Sequence, residues 1–305
     1  MQLSVVIITF NEEANIGHTL ASVQPLVADG KGEIIVVDSG STDRTVEIAE
    51  SYGAQVFIEE WKGFSAQKNS AIDKATGDWI LSLDADEEID AAMAETTRDL
   101  TSRPKVITPR QTQQARRSDK ADSLETVEVV MALEEALDEP FAKKAADIPV
   151  ASSGYRFPRK NYFLGRWVKH GGFWPDPKLR LFRRGSGRFE DRAVHETLKT
   201  DGYAANVKNG TIIHHSYPTL SDYIDHMNRY SSLGAEMVVA RGPVRFSFIN
   251  IVLRPLLTFI YNYFFRLGFL DGREGLLLHL YHAVYVSWKY AKAWELSRQK
   301  ITMSS

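Results

Sequence analysis

Trp79-Ile80-Leu81-Ser82-Leu83-Asp84-Ala85-Asp86-Glu87-Glu88 is the stretch whose reading decides the fold. Its first five residues are a mostly apolar run of the kind buried on both faces of a parallel sheet, and the run ends in four carboxylates within five positions. A strand buried on both faces does not tolerate carboxylates. Asp84 and Asp86 are therefore expected at its carboxyl end, where an open α/β sheet gathers ligands. Two carboxylates one residue apart suit a hard divalent cation, Mg2+ or Mn2+, which keeps several waters and takes further ligands from substrate phosphates. The competing reading is a solvated acidic loop opening a helix, where negative charge complements the macrodipole.

Upstream, Leu3–Thr9 is a nearly continuous β-branched run, the pattern of a central parallel strand, and it stops at Phe10-Asn11-Glu12-Glu13. Asn11 is expected to cap a helix on which Ile16, Leu20 and Val23 recur at helical spacing. Residues 33–37 repeat the buried-strand pattern, and Asp38 follows them. A polar loop, a helix to about Tyr52, a short strand at 55–58 and a helix at about 65–75 then lead into Trp79. This is the rhythm of βαβ units. It lacks the Gly-x-Gly-x-x-Gly turn of dinucleotide folds and the Gly-x-x-x-x-Gly-Lys-Ser/Thr phosphate loop, which argues against a dehydrogenase and a P-loop NTPase.

Composition excludes further classes. The 305 residues carry 37 Lys and Arg against 39 Asp and Glu, so no basic excess exists to neutralise a nucleic-acid backbone. There is no cysteine, which removes disulfides, zinc–thiolate sites and thiol nucleophiles. The N-terminus runs directly into a strand without the layout of a signal peptide, so a cytoplasmic chain is expected.

The segments Val5–Glu13, Val36–Asp43, Gln67–Ala71 and Leu83–Glu87, in this order and spacing, resemble the successive motifs of family 2 glycosyltransferases. The resemblance implies an α/β GT-A nucleotide-diphospho-sugar transferase fold, a Rossmann-like mixed sheet flanked by helices, and an inverting transfer. It implies that Thr9, Asn11, Glu12 and Asp38 line the nucleoside pocket, that Lys68 and Asn69 approach the nucleotide, and that Asp84 and Asp86 form the Asp-x-Asp pair, with Asp86 the more direct metal ligand. A uridine-diphosphate sugar is the donor that family habit favours.

Farther on, residues 101–150 shift in composition: prolines 104, 109, 140 and 149 bracket a polar, charged tract. Asp122-Ser123-Leu124-Glu125 reads there as a capping box before a helical face of Leu124, Val127, Met131 and Leu137. A helical insertion in the catalytic domain is expected. In Lys178–Arg183 the alternation puts Lys178 and Arg180 on one face, where they would neutralise the leaving diphosphate; basic residues on a half-exposed strand are the alternative. The acidic cluster at 189–196 supplies candidate bases for the acceptor hydroxyl. Glu196, in a Val-His-Glu that resembles a motif of lipopolysaccharide-core members of the family, comes first, Asp191 second, and His195 would orient the base or contact the diphosphate. Asn209-Gly210-Thr211 is expected to turn a hairpin. Of the neighbouring His214 and His215, strand geometry allows only one to face a given site.

The wording Leu267–Gly275 is similar to the tail of bacterial lipopolysaccharide-core β-glucosyltransferases. Residues 1–218 are accordingly expected to form the catalytic domain and 219–305 a helical, apolar and aromatic segment. From 244 to 294 charges interrupt the apolar residues, so no uncharged run reaches the ~18 to 20 residues of a spanning helix. Aromatics interleaved with Arg and Lys fit helices lying in a bilayer interface, while a buried helical hairpin turning at 268–272 is the alternative. The expected acceptor is a glycan or lipid-linked saccharide at the cytoplasmic face of the inner membrane, with no nucleic-acid partner. Transfer to a polyprenyl phosphate, which is already anionic and needs no base, is the nearest alternative enzyme, and a non-catalytic nucleotide-sugar scaffold the alternative outside enzymes.

Overall fold

The structure, a computed structural model, describes residues 2–30, 32–102, 152–190 and 197–304. Its first part alternates strands and helices: β1 (Leu3–Thr9), α1 (Ile16–Val27), β2 (Gly32–Asp38), α2 (Thr45–Ser51), β3 (Gln55–Ile58), α3 (Phe64–Lys74), β4 (Trp79–Asp84), β5 (Glu87–Ile89) and α4 (Ala91–Ser102). There follow β6 (Gly154–Phe157), β7 (Arg159–Phe163), β8 (Arg166–Trp167), β9 (Lys178–Arg183), β10 (Gly187–Glu190), β11 (Thr197–Thr200), β12 (Ala204–Asn206) and β13 (Ile212–Tyr217). Helices α5 (Leu220–Val239), α6 (Arg254–Ile260) and α7 (Gly272–Ser304) complete it.

Seven strands form a mixed sheet in the order β12-β6-β9-β4-β1-β2-β3. β4, β1, β2 and β3 run parallel, as their βαβ crossovers require, and β9 enters antiparallel beside β4. Both faces are covered. Ile16, Leu20 and Val23 of α1 pack with Val5, Ile7 and Leu81 on one side, and Ala71 and Ile72 of α3 pack with Val6, Ile35 and Ile80 on the other. Each such aliphatic side chain, wholly removed from water, contributes roughly 1.5–3 kcal/mol, which explains why these strands read as continuous apolar runs. Apart from Ser4, Glu33 and Ser82, the polar residues of β1, β2 and β4 come where the runs stop, so the functional groups collect at one edge of the sheet.

A four-stranded sheet, β5-β13-β7-β8, stands against that edge and brings distant residues beside Asp86. In it His214 lies opposite both Glu87 and Asn161.

Local readings change in three places. Helix α1 starts at Ile16 with Asn15 at the cap position; Asn11 instead adopts φ +53° and accepts a hydrogen bond from the Thr42 backbone N–H on Oδ1. Residues 209–211 do not turn a hairpin, since β12 pairs with β6 and β13 with β5 and β7. Gly210 sits there at φ +92°, where an added Cβ would fall 2.4 Å from the Met93 backbone, so only glycine passes. Strand β9 is central, not half exposed, with Leu179, Arg180, Leu181 and Phe182 all buried. The insertion expected at 101–150 lies, from residue 103 onward, outside the described residues.

The C-terminal segment is helical, and α7 packs along α5. The Lys292 ammonium pins the two by donating to the Asn228 carbonyl and to the hydroxyls of Ser231 and Ser232 at 2.7–2.9 Å. Among the described residues no helix is long and apolar enough to cross a membrane.

Candidate active site

Asp84 is the last residue of β4, and two cations from different elements hold it. Lys68 Nζ, from the buried face of α3, lies 2.7 Å from Oδ1, and Arg180 of β9 lies 2.6 Å from Oδ2. Burial alone would raise the Asp84 pKa, but Arg180 and then Lys68 outweigh it and keep the carboxyl well below the usual carboxylate range. Arg180 also donates to Glu87 Oε1 at 2.6 Å, and Arg159 reaches that oxygen at 3.0 Å. Glu87 is fully buried, so these guanidinium groups are its counter-charges.

Asp86 projects beyond this network. Thr19 fixes the turn between the two aspartates by donating its hydroxyl to the Ala85 carbonyl at 2.7 Å. Oδ2 of Asp86 lies 3.1 Å from His214 Nε2. Burial pushes its pKa up, His214 pulls it down and neighbouring Asp84 pushes back; the net shift is downward. The other histidine nitrogen, Nδ1, is 2.9 Å from Asn161 Oδ1 and 2.7 Å from Ser216 Oγ. Asn161 directs its amide Nδ2 to Asp176 Oδ2 at 3.0 Å and the Phe173 carbonyl at 3.3 Å, so its Oδ1 must be the atom facing His214. Nδ1 therefore donates to Asn161, and Nε2 faces Asp86, where it donates to the carboxylate and a metal ion would take the place of that proton.

Asp86 and His214 Nε2 thus offer an oxygen and a nitrogen ligand side by side, with Asp84 one residue away. Among the described residues no group of three or more His, Cys, Asp or Glu side chains converges on one point. Such a partial set fits a Mg2+ or Mn2+ ion that keeps waters and is completed by substrate phosphates; it does not fit an all-protein metal cage. His215 points to the opposite face and pairs with Glu88 at 2.8 Å.

At the ends of β1 and β2, the loops that follow are stitched together. Asp38 is fully buried and accepts the Gly40 and Ser41 backbone N–H groups on Oδ2, both at 2.8 Å, while the Ser41 hydroxyl donates to Oδ1. The Asn11 N–H donates to Ser41 Oγ and the Glu12 N–H to Thr45 Oγ1. Burial raises the pKa of Glu12, Asn15 opposes, and Asp86, Asp43 and Asp84 add to the rise. Several buried polar atoms near these strand ends have no hydrogen-bond partner among the described residues: Thr9 Oγ1, Ser39 Oγ, Gln67 Nε2 and Arg180 Nε. A buried group left unmatched costs roughly 1–3 kcal/mol, so those at the ends of β1 and β2 are groups a bound polar molecule could satisfy. Beside them Phe10, Ile58, Trp61 and Phe64 are exposed, with the last two rings edge to face at 4.8 Å.

The remaining sequence candidates divide. Lys178 pairs with Asp176 at 2.9 Å and reaches the Arg180 network only indirectly, through Asp176 and Arg159. Asn69 exchanges two hydrogen bonds with the Phe189 backbone, Nδ2 to the carbonyl at 2.9 Å and the Phe189 N–H to Oδ1 at 3.0 Å, which fixes β10 on α3. Asp191, His195 and Glu196 lie outside the described residues. Sequence reasoning passed over Arg159, Asn161 and Asp176, gave Glu87 no role beyond the acidic cluster, and left open which of His214 and His215 could face a site. Their sequence signal is weak: Glu87, Arg159 and Asn161 stand in short strands of mixed polarity, and Asp176 in a loop.

Residues 4–126 match the family model described as Glycosyl transferase family 2. Over 301 residues the chain is 27% identical to the lipopolysaccharide core biosynthesis glycosyltransferase LpsC of Rhizobium meliloti (strain 1021), covering 97% of this chain and 93% of that one. It is 50% identical over 88 residues, 29% of each chain, to an uncharacterized glycosyltransferase of Rickettsia bellii (strain RML369-C). Among solved structures it is similar to glucosyl-3-phosphoglycerate synthase from Mycobacterium tuberculosis in complex with Mn2+, uridine diphosphate and glucosyl-3-phosphoglycerate, at 33% identity over 28% of this chain and 34% of that one, with a TM-score of 0.26. Residues 4–126, which include the parallel strands β1 to β4 and the acidic edge, thus resemble the family 2 glycosyltransferases.

Proposed function

We propose that this glycosyltransferase moves a sugar from a nucleoside-diphosphate donor, a uridine-diphosphate sugar, to a hydroxyl of a cell-envelope saccharide of the lipopolysaccharide-core kind. The observation that carries the reading is the Asp84–Ala85–Asp86 edge with His214 Nε2 at 3.1 Å from Asp86, with buried polar atoms at the neighbouring strand ends that have no partner among the described residues. Asp86 and His214 would hold a divalent cation, with Asp84 behind them; the ion supplies positive charge to the diphosphate as it departs.

The chain's own residues do the rest. Lys68 and Arg180 keep Asp84 ionised and oriented. Thr9 and Ser39 offer unpaired hydroxyls to the nucleoside, and Arg180 Nε an unpaired N–H to a phosphate oxygen. Asp38 shapes the loop, and the exposed rings of Phe10 and Trp61 offer a face on which a base stacks. Glu196, with Asp191 second, takes the acceptor proton as the hydroxyl attacks the sugar carbon, and His195 orients it. The name of the rhizobial relative supports a lipopolysaccharide-core acceptor. In the same reading residues 1–218 form the catalytic domain around the 101–150 insertion, and 219–305 hold the enzyme peripherally on the cytoplasmic face of the inner membrane.

The test is release of UDP from a panel of UDP-sugars with Mn2+, with and without a truncated lipopolysaccharide core. Acceptor-stimulated release with formation of a longer core supports the assignment. No release with any donor, with or without core, overturns it.

A further inference from the structure

From Met237 to Leu270 the chain carries four arginines, 241, 245, 254 and 266, and no Asp, Glu or Lys. Helix α6 lies in the middle of this stretch, flanked by single π-helical turns at Ile249–Leu253 and Tyr261–Phe265. One side of it is packed on α7: the Ser287 hydroxyl donates to the Ile251 carbonyl at 2.8 Å, and Ser297 accepts the Val244 N–H at 3.0 Å. The other side is apolar and bare. Phe248 is 66% exposed, Ile249 62%, Leu257 54%, Phe264 53% and Phe265 74%. Isolated exposed apolar residues need no explanation, but this many large ones on one short helical element mark a surface that is covered in use.

Charge decides the occupant. A second copy of the chain docking this face two-fold on itself would bring arginines against arginines with no carboxylate in the stretch to answer them. An anionic leaflet answers them, Arg241 and Arg245 most directly since Arg254 also donates to the Tyr290 hydroxyl, because arginine guanidinium groups sit at the headgroup level while aromatic and aliphatic side chains enter the acyl boundary. The helical element is too short and too charged to span, so it lies flat. Its far end is clasped to the catalytic domain. Asp271, nearly fully buried, accepts the Lys169 N–H at 3.1 Å and the His170 N–H at 2.8 Å, with His170 Nδ1 2.9 Å from Oδ1, and the Arg266 carbonyl accepts the Gly171 N–H at 2.9 Å. The clasped loop runs on to Asp176, which Asn161 ties to His214.

We propose that residues 241–270 are a docking face for an anionic phospholipid leaflet, with the interleaved arginines conferring the selectivity and the Asp271 clasp setting the height of the active site above the bilayer. This deepens, and rests on, the membrane-side part of the proposed function.

Flotation of the full chain with vesicles of phosphatidylcholine alone, or with phosphatidylglycerol added, tests it, with UDP–Mn2+ binding and thermal stability measured on the same preparations. The expected result is partition onto the anionic vesicles, weakened by about tenfold or more on phosphatidylcholine alone or at high salt. The double variants Phe248→Glu/Phe265→Glu and Arg241→Gln/Arg245→Gln should each cut anionic partition about tenfold while leaving stability and UDP binding unchanged. Equal partition onto both vesicle types overturns the anionic selectivity while leaving membrane attachment standing. Partition that neither double variant alters places the contact elsewhere and overturns the proposal. No partition, with a sedimenting dimer that Phe248→Glu/Phe265→Glu dissociates, makes a second copy the occupant and overturns it as well. The UDP reading on the same samples reports on the donor site separately.

Discussion

His214 Nε2 lies 3.1 Å from Asp86 Oδ2, across a sequence separation that no local pattern bridges. With Nδ1 turned to Asn161, the ring presents the nitrogen that a cation at Asp86 would use. His214→Ala is therefore expected to weaken the Mn2+-dependent part of UDP binding by about tenfold or more, by analogy with the loss of other metal-site partners. His215→Ala, which removes only a half-exposed pair with Glu88, should leave it unchanged. Calorimetric titration of both variants checks the contrast.

Arg180 and Lys178 are two positions apart on one strand and should differ sharply on substitution. Arg180→Met leaves Asp84 and the fully buried Glu87 each short of a counter-charge, a loss of about 3–5 kcal/mol in folding stability. Lys178→Met removes a partly exposed pair with Asp176 and should cost within about 1 kcal/mol. Urea denaturation of the two variants measures the difference.

Acid stability should report on Asp176. Burial would raise its pKa, but Arg159, Asn161 and Lys178 overcome that and hold it at about 2, below the ordinary 3.8. A carboxyl depressed on folding stabilises the protein above its unfolded pKa and loses that contribution as pH falls through the folded one. The contribution is roughly 2 kcal/mol, present near pH 7 and lost between about pH 4 and 2. Asp176→Asn should be less stable than the parent at pH 7 by roughly that amount and show a shallower decline in acid, as followed by denaturation across that range.

The candidate bases separate two acceptor chemistries. For a saccharide hydroxyl, Glu196→Gln abolishes transfer and leaves UDP binding nearly intact; if Asp191→Asn does so instead, the base is Asp191. Turnover indifferent to both substitutions indicates an acceptor that needs no deprotonation, such as a polyprenyl phosphate.

The parallel sheet was legible in the sequence because each central strand is buried on both faces and so is largely apolar up to a polar residue at its end: Thr9, Asp38, Asp84. The partners of Asp84 and Asp86 were less so. Lys68 could be named from its motif, but that its ammonium reaches Asp84 depends on how α3 crosses the sheet. His214 and Asn161 meet only because β13 and β7 pair in register, and Asp176 joins them from the loop before β9. Arg180 looked like one of two alternating cations, and only the placement of β9 inside the sheet makes it a buried counter-ion. Asn69, next to Lys68 in the same motif, turns to the Phe189 backbone because successive helical positions face different directions.

The central claim is that Asp86, at the sheet's edge, binds a divalent cation together with the donor's diphosphate. Isothermal titration of UDP into the protein and into Asp86→Asn, each with Mn2+ and with chelator, tests it most directly. The account predicts that Mn2+ tightens UDP binding by about tenfold or more in the parent protein and leaves Asp86→Asn unaffected. UDP affinity indifferent to Mn2+ in the parent, or a full Mn2+ effect retained in Asp86→Asn, would contradict it.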